Sequence, residues 1–194
     1  IPPINGSSFA GGAIVKIDIP AGRRGTYLDC SQSYLQFEIE ETIGQTQTLS
    51  SSTAAGLIQK IEIYSGSNLL ESIDNYGRIV QCLTDFGWSS SDRATGGTFE
   101  GAERNQVNTA AATLTNLLAP RRSGNIVLTG IDETYYIPIV SGVIGQLVDK
   151  YLPIGEMAAD LRVEITTATP NVAFLGAAAC GYNMLNILFQ ATIV

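Results

Sequence analysis

Apolar and polar residues alternate along much of this chain with the period of two expected of a strand that buries one face. In residues 34 to 40, Leu35, Phe37 and Ile39 share one side while Gln36, Glu38 and Glu40 share the other. Residues 13 to 19 set Val15, Ile17 and Ile19 against Lys16 and Asp18, then stop at Pro20-Ala21-Gly22. Residues 57 to 64 point Ile61 and Ile63 inward, and Gly66-Ser67-Asn68 turns them into residues 69 to 73, which is a hairpin signal. Further strands are predicted at residues 125 to 129, 134 to 140 and 161 to 166, with a short one at 171 to 175. The final stretch places Leu185, Ile187, Phe189 and Ile193 on one face and Met184, Asn186, Leu188, Gln190 and Thr192 on the other.

One segment changes period. From Asn75, read as an N-cap, Tyr76, Ile79, Val80, Leu83 and Phe86 recur at spacings of three and four, so a helix of about three turns is expected up to Gly87. Residues 42 to 53 are polar and rich in Ser and Thr, the composition of a loop. Residues 88 to 122 read as a surface excursion, with Ser89-Ser90-Ser91, Gly96-Gly97 and a second helix carrying Val107, Ala111, Leu114 and Leu118. Between 133 and 165 the pattern breaks in an ordered way. Pro138 removes a ladder hydrogen bond and limits its strand to an edge or an irregular position. Ser141-Gly142 frees the backbone, residues 143 to 148 form a turn or two of helix, and Leu152-Pro153-Ile154-Gly155 redirects the chain, as in a crossover between two sheets. The reading is an all-β fold: an antiparallel eight-stranded jelly-roll sandwich with one or two short helices in its connections, forming one domain over residues 1 to 194.

Composition narrows the function. Hydrophobic residues make up 45% of the chain, an ordinary value, but charged residues only 15% against roughly 25% in a typical soluble domain. Depletion of charge is what surfaces hidden by neighbours display. The net charge of -7 and the lack of any block of Lys or Arg argue against direct nucleic-acid binding. Arg23-Arg24 and Arg121-Arg122 read as turn residues. No histidine is present, which removes Ser-His-Asp and Cys-His catalysis and His-containing zinc sites. Cys30, Cys82 and Cys180 are odd in number and widely spaced, so buried free thiols are expected. No apolar run is long enough for a membrane helix, the closest being residues 185 to 194. A chain that begins at Ile1 implies preceding residues that are missing or cleaved.

Four stretches in order, "YLDCSQSYLQFEIE" at 27 to 40, "LIQKIEIYSGSNLLESIDNYGRIVQCL" at 57 to 83, the Pro138 to Gly155 crossover leading to Leu161-Arg162-Val163-Glu164-Ile165, and "YNMLNILFQATIV" at 182 to 194, resemble the viral jelly-roll capsid family. The resemblance is strongest to the first barrel of the double jelly-roll major capsid proteins of double-stranded DNA viruses and their Polinton-like and virophage relatives. It covers about two thirds of the chain. It implies a structural, non-enzymatic subunit of the virion, assembled inside the host cell from copies of itself, in a trimer or pseudo-hexameric capsomer, and other capsid proteins. In that setting the excursion at 88 to 122 forms an outer tower or an intersubunit clasp. Two departures stand. The chain has room for one barrel, which leaves a fragment, a single-barrel relative or a pairing chain open, and it lacks the basic arm of many RNA-virus capsids.

Candidate chemistry is sparse. Glu40-Glu41 and Asp132-Glu133 are adjacent on strands and point to opposite faces, so neither makes an acid/base pair. Asp18, Asp29, Glu38 and Glu40 lack the spacing of a calcium loop, and Gly11-Gly12 and Gly96-Gly97 lack the context of a phosphate loop. No catalytic, cofactor-binding or metal residue is assigned, and no cofactor is expected. The rival function is a carbohydrate-binding, lectin-like jelly roll such as a viral receptor-binding protein, with Trp88 and Asp92 as its only pocket candidates. An enzyme of cupin or glycosidase type is disfavoured by the missing histidines and carboxylate pair.

Overall fold

The computed structural model describes residues 1–42, 49–51, 53–89, 133–145, 147–174 and 181–194. Its elements are β1 (Ser8–Ala10), β2 (Ile14–Ile19), β3 (Leu28–Glu41), β4 (Ile58–Ser65), β5 (Asn68–Asp74), α1 (Tyr76–Gly87), β6 (Glu133–Pro138), β7 (Tyr151–Leu152), β8 (Leu161–Thr167), α2 (Pro170–Ala173) and β9 (Tyr182–Ile193). Single 3-10 turns at Ala54–Leu57 and Ile154–Glu156 join them. The predicted strand at 125 to 129 and the body of the 88 to 122 excursion, with its second helix, lie outside the described residues.

The pairing is nested. β1 pairs with β9, β2 with β8, β3 with β6 and β4 with β5, all antiparallel, like one long hairpin folded flat. Two further pairings, β3 with β9 and β4 with β8, roll that ribbon into two sheets of order β1-β9-β3-β6 and β2-β8-β4-β5, with the short β7 beside the start of β3. This winding is the jelly roll. The alternating residues of both sheets meet between them: Val15, Ile17, Leu35, Phe37, Ile39, Ile61, Ile63, Tyr135, Val163, Ile165 and Phe189 are all 0 or 1% exposed. Each such side chain contributes about 1.5–3 kcal/mol relative to exposure.

β3 and β9 depart from simple alternation. In β3 the inward residues are Leu28 and Cys30, then Ser33, Leu35, Phe37 and Ile39, so the phase slips by one residue at Ser31-Gln32. Asp29 holds that slip, accepting hydrogen bonds from the Ser31 N–H at 3.1 Å and the Ser31 hydroxyl at 2.7 Å. β9 slips in the same way. Met184 is buried, Ile187 and Phe189 are buried, and Asn186 between them has a left-handed φ of 50°. There, two steps along β3, from Gln36 to Glu38, answer three along β9, from Leu188 to Leu185. A bulge accounts for the extra residue, and asparagine tolerates its backbone better than most side chains. The expected faces of the last strand are therefore corrected: Met184 points inward, Leu185 is only partly covered, and Ile193 is 55% exposed.

Two connections also differ from expectation. Residues 170 to 173 form α2 instead of a strand, because Pro170 stands at the first helical position after an extended Thr169. Beyond it, Phe174 makes an isolated bridge to Leu49. Residues 142 to 145 form turns, not helix. A Cβ on Gly145 would collide with the Ile139 carbonyl oxygen and the Ser141 nitrogen, so the chain folds back on the end of β6 more closely than a helix permits.

The start of the crossover is fastened to both β5 and α1. Ser141, 1% exposed, donates its hydroxyl to the Glu71 carboxylate of β5, and Gly142 N–H donates to the same group at 3.0 Å. Ser141 Oγ also accepts the N–H groups of Val143 and Ile144 at 3.0 and 3.2 Å. From α1, the buried Tyr76 hydroxyl accepts the Val140 N–H at 2.8 Å. Tyr76→Phe is expected to cost about 1–2 kcal/mol, since it strips an acceptor from a backbone N–H at the barrel's end, and urea unfolding measures the loss.

Tyr182, whose hydroxyl also lies 3.4 Å from Leu57 O, ties the end of β8 in a similar way, donating to Ala168 O at 2.5 Å. Burial pushes its phenol well above its ordinary value of 10. The folded state thus keeps a proton that the unfolded state releases, so stability is full below about pH 10 and falls as pH rises further. The urea midpoint is expected to drop above that pH in the native chain and to drop less steeply in Tyr182→Phe.

Candidate assembly surfaces

Because side chains alternate across each strand, every residue of the outward faces is fixed by the core on the opposite side. The two outer faces differ in chemistry. On the β2-β8-β4-β5 sheet, β2 contributes Lys16 and Asp18, β8 contributes Arg162 and Glu164, and β4 contributes Lys60 and Glu62. These are interlocked: Arg162 bonds Asp18 through two nitrogens at 2.7 and 3.2 Å, Lys16 meets Glu164 at 3.2 Å, and Lys60 reaches Glu62 at 2.9 Å and Asp74 at 3.6 Å. The hydrogen bond with Glu62 is the main influence raising the Lys60 pKa, and that with Asp18 does the same for Arg162. Both cations stay charged.

The outer face of the β1-β9-β3-β6 sheet is built from amides and carboxylates. Gln190 donates to Gln36 at 2.5 Å, Asn186 to Glu38 at 2.6 Å and Asn183 to Glu40 at 3.0 Å, a ladder of side chains between β9 and β3. None of the five strands of this sheet, β7 included, contains Lys or Arg. Residues 1 to 7 run beside β9, with hydrogen bonds between Ile1 and Phe189 in both directions and from Asn186 N to Ser7 O. Between this segment and the sheet lies a cleft of about 390 Å3 bounded by Pro2, Pro3, Gln36, Glu38 and Leu188.

A third surface belongs to α1. Tyr76, Gly77, Val80 and Thr84 face the protein, while Ile79, Leu83 and Phe86, whose spacing predicted the helix, are 40, 47 and 92% exposed. Two glycines decide the orientation: a Cβ on Gly77 would lie 2.7 Å from Gly56 Cα, so only the Gly77 side of the helix can approach the 3-10 turn. Asn75 precedes the helix in a left-handed conformation without a side-chain cap. Its amide oxygen instead accepts from Gln59 at 3.0 Å.

The residues weighed for chemistry are scattered. Asp18 lies on one sheet with its arginine, whereas Asp29, Glu38 and Glu40 belong to the other. Among the described residues no group of three or more Cys, Asp and Glu could hold a metal ion. Gly11 and Gly12 form the turn between β1 and β2, where Gly12 has φ of +89°. Arg23 and Arg24 are exposed on a turn, with Arg24 3.6 Å from Glu156. Cys30 is buried, which raises its pKa, and Cys82 is exposed; neither forms a disulfide. Trp88 is half-buried, whereas Asp92, Gly96, Gly97, Arg121, Arg122, Asp132 and Cys180 lie outside the described residues. No helix among the described residues is long and apolar enough to cross a membrane.

Two solved structures superimpose on this fold. The chain superimposes on VP54 of PBCV-1, in the crystal structure fitted into a cryo-electron microscopy reconstruction of the virophage Sputnik, with a TM-score of 0.55 and 17% identity. The overlap covers 96% of this chain and 40% of that one. The fold is that of a viral capsid jelly roll. A quasi-atomic model of the PBCV-1 virus capsid gives a TM-score of 0.53 at 16% identity, again over 96% of this chain and 40% of the other. The jelly roll described above thus spans about two fifths of the length of the chains it resembles. No protein-family model matches the sequence, and neither does any curated protein.

Proposed function

We propose that this protein is a structural subunit of a viral capsid, without enzymatic activity, whose role is to pack laterally into capsomers and so build the shell. Residues 1 to 194 act as one jelly-roll unit. Its partners are copies of itself, in a trimer or pseudo-hexameric ring, and other capsid proteins. Its site of action is the virion, assembled in the host cell, and it does not bind nucleic acid directly. The observation that carries this reading is the nested jelly-roll pairing of a chain whose superposition on capsid neighbours covers 96% of its length. A weakly charged surface and the exposed row Ile79, Leu83 and Phe86 supply area that association would cover.

Size-exclusion chromatography with light scattering tests it. The native protein is expected to elute at three or more times its single-chain mass. A single-chain mass retained at high protein concentration would overturn the proposal.

A further inference from the structure

We propose that the cleft between residues 1 to 7 and the β1-β9-β3-β6 sheet binds a primary alkylammonium group, a protonated amine at the end of an unbranched apolar stem. Three observations lead there. The first is the cavity. Its volume of about 390 Å3 is that of a small-molecule site, and Pro2, Pro3 and Leu188 give it apolar walls. Both sides of it are fixed in place. Residues 1 to 7 are tied to β9 through Ile1 and Ser7, and to β2 through Ile4 N to Lys16 O at 2.8 Å and the Asn5 amide, which bonds Ile14 O and Lys16 N at 2.7 and 2.9 Å.

The second observation is the set of polar atoms. Glu38, Asn186 and Ser7 line the cleft. The Asn186 amide donates to one Glu38 oxygen at 2.6 Å, which leaves the other carboxylate oxygen, the Asn186 side-chain oxygen and the Ser7 hydroxyl without a hydrogen-bond partner among the described residues. An ammonium group has three donors and no acceptor, so these three acceptors beside an apolar wall match it, whereas an anion would meet the Glu38 carboxylate. Charge agrees. The sheet turns Asp29, Glu38 and Glu40 outward, and neither its strands nor residues 1 to 7 carry a lysine or arginine that could neutralise them. The third observation is the backbone. The bulge in β9 holds Asn186 at a φ of 50°, and bulges re-aim side chains beside binding sites. Here it directs the Asn186 amide at Glu38 and so fixes the carboxylate at the edge of the cleft.

A lysine side chain of a partner protein and a free aliphatic amine share this chemistry, and two probes separate them. A capped tripeptide with lysine between two glycines, and n-pentylamine, are each titrated into the full chain at pH 7 while NMR follows the side-chain amide signals of Asn186 and Gln36. Saturable shifts are expected with both, and the tighter probe identifies the source. Methylamine, which lacks the stem, is expected to bind at least about tenfold more weakly than n-pentylamine. Glu38→Gln keeps an acceptor for Asn186 but loses the charge, and is expected to weaken binding about tenfold. Glu40→Gln, outside the cleft, is expected to change it by less than about twofold. No saturable shift with either probe, equal binding of neutral 1-pentanol, or equal losses in Glu38→Gln and Glu40→Gln would overturn the site. The capsid reading is tested apart from it, by light scattering of the native chain.

Discussion

Replacing Phe37 with alanine is expected to lower the free energy of unfolding by about 4 kcal/mol, the range for deleting a core aromatic ring. Phe37 is 0% exposed, lies near the middle of β3, and its ring centre is 6.1 Å from that of Tyr135 on β6. β3 is paired with both β6 and β9, so the surroundings are held on either side and cannot collapse into the space left behind. For a chain of this length the change corresponds to a fall of roughly 8–16 °C in Tm, read by calorimetry or circular dichroism. A fall under about 3 °C would mean that β3 is not central to the core.

Gly155→Val should be comparably damaging for the opposite reason. A Cβ at this position would strike the Arg23 carbonyl oxygen and approach the Thr26 nitrogen within 2.9 Å, both of them backbone. The turn at 153 to 157 is bound to the turn at 23 to 26 at this point, through a hydrogen bond from Gly155 N to Thr26 O of 2.9 Å. A branched side chain has to push the two apart, at a cost of about 3 kcal/mol. Urea unfolding is expected to show a lower midpoint. Faster proteolysis within residues 20 to 27 would place the damage at that turn, and an unchanged midpoint would show that the two turns separate freely.

What the sequence made legible follows from where alternation is unbroken. β2, β4, β5, β8 and the second half of β3 keep strict period two or a clear hairpin turn, and all were expected close to their observed places. Pro138 limited β6 to an edge or an irregular position, and among the described residues β6 ends its sheet's strand order. The first half of β3 was hidden because the slip at Ser31-Gln32 moves Leu28 and Cys30 out of phase with Leu35. Asn186 concealed the true faces of β9 in the same manner. β1 and β7, of three and two residues, are too short to show a period at all.

The surfaces were harder to read than the core. Spacing placed Ile79, Leu83 and Phe86 on a helix without saying which side packs, and the approach of Gly77 to Gly56 turns that row outward. Such a contact between glycines 21 residues apart leaves no periodic trace. The asymmetry between the outer faces was present in the residue types, yet it became visible only once strand order assigned Lys16, Lys60 and Arg162 to one sheet and Glu38 and Glu40 to the other.

Electron micrographs of the purified native protein, recorded over a range of concentrations, test most directly whether this jelly roll is a building block. Uniform ring-shaped capsomers that join into sheets or shells as concentration rises are the expected result. A field of isolated particles of single-chain size at every concentration would contradict it.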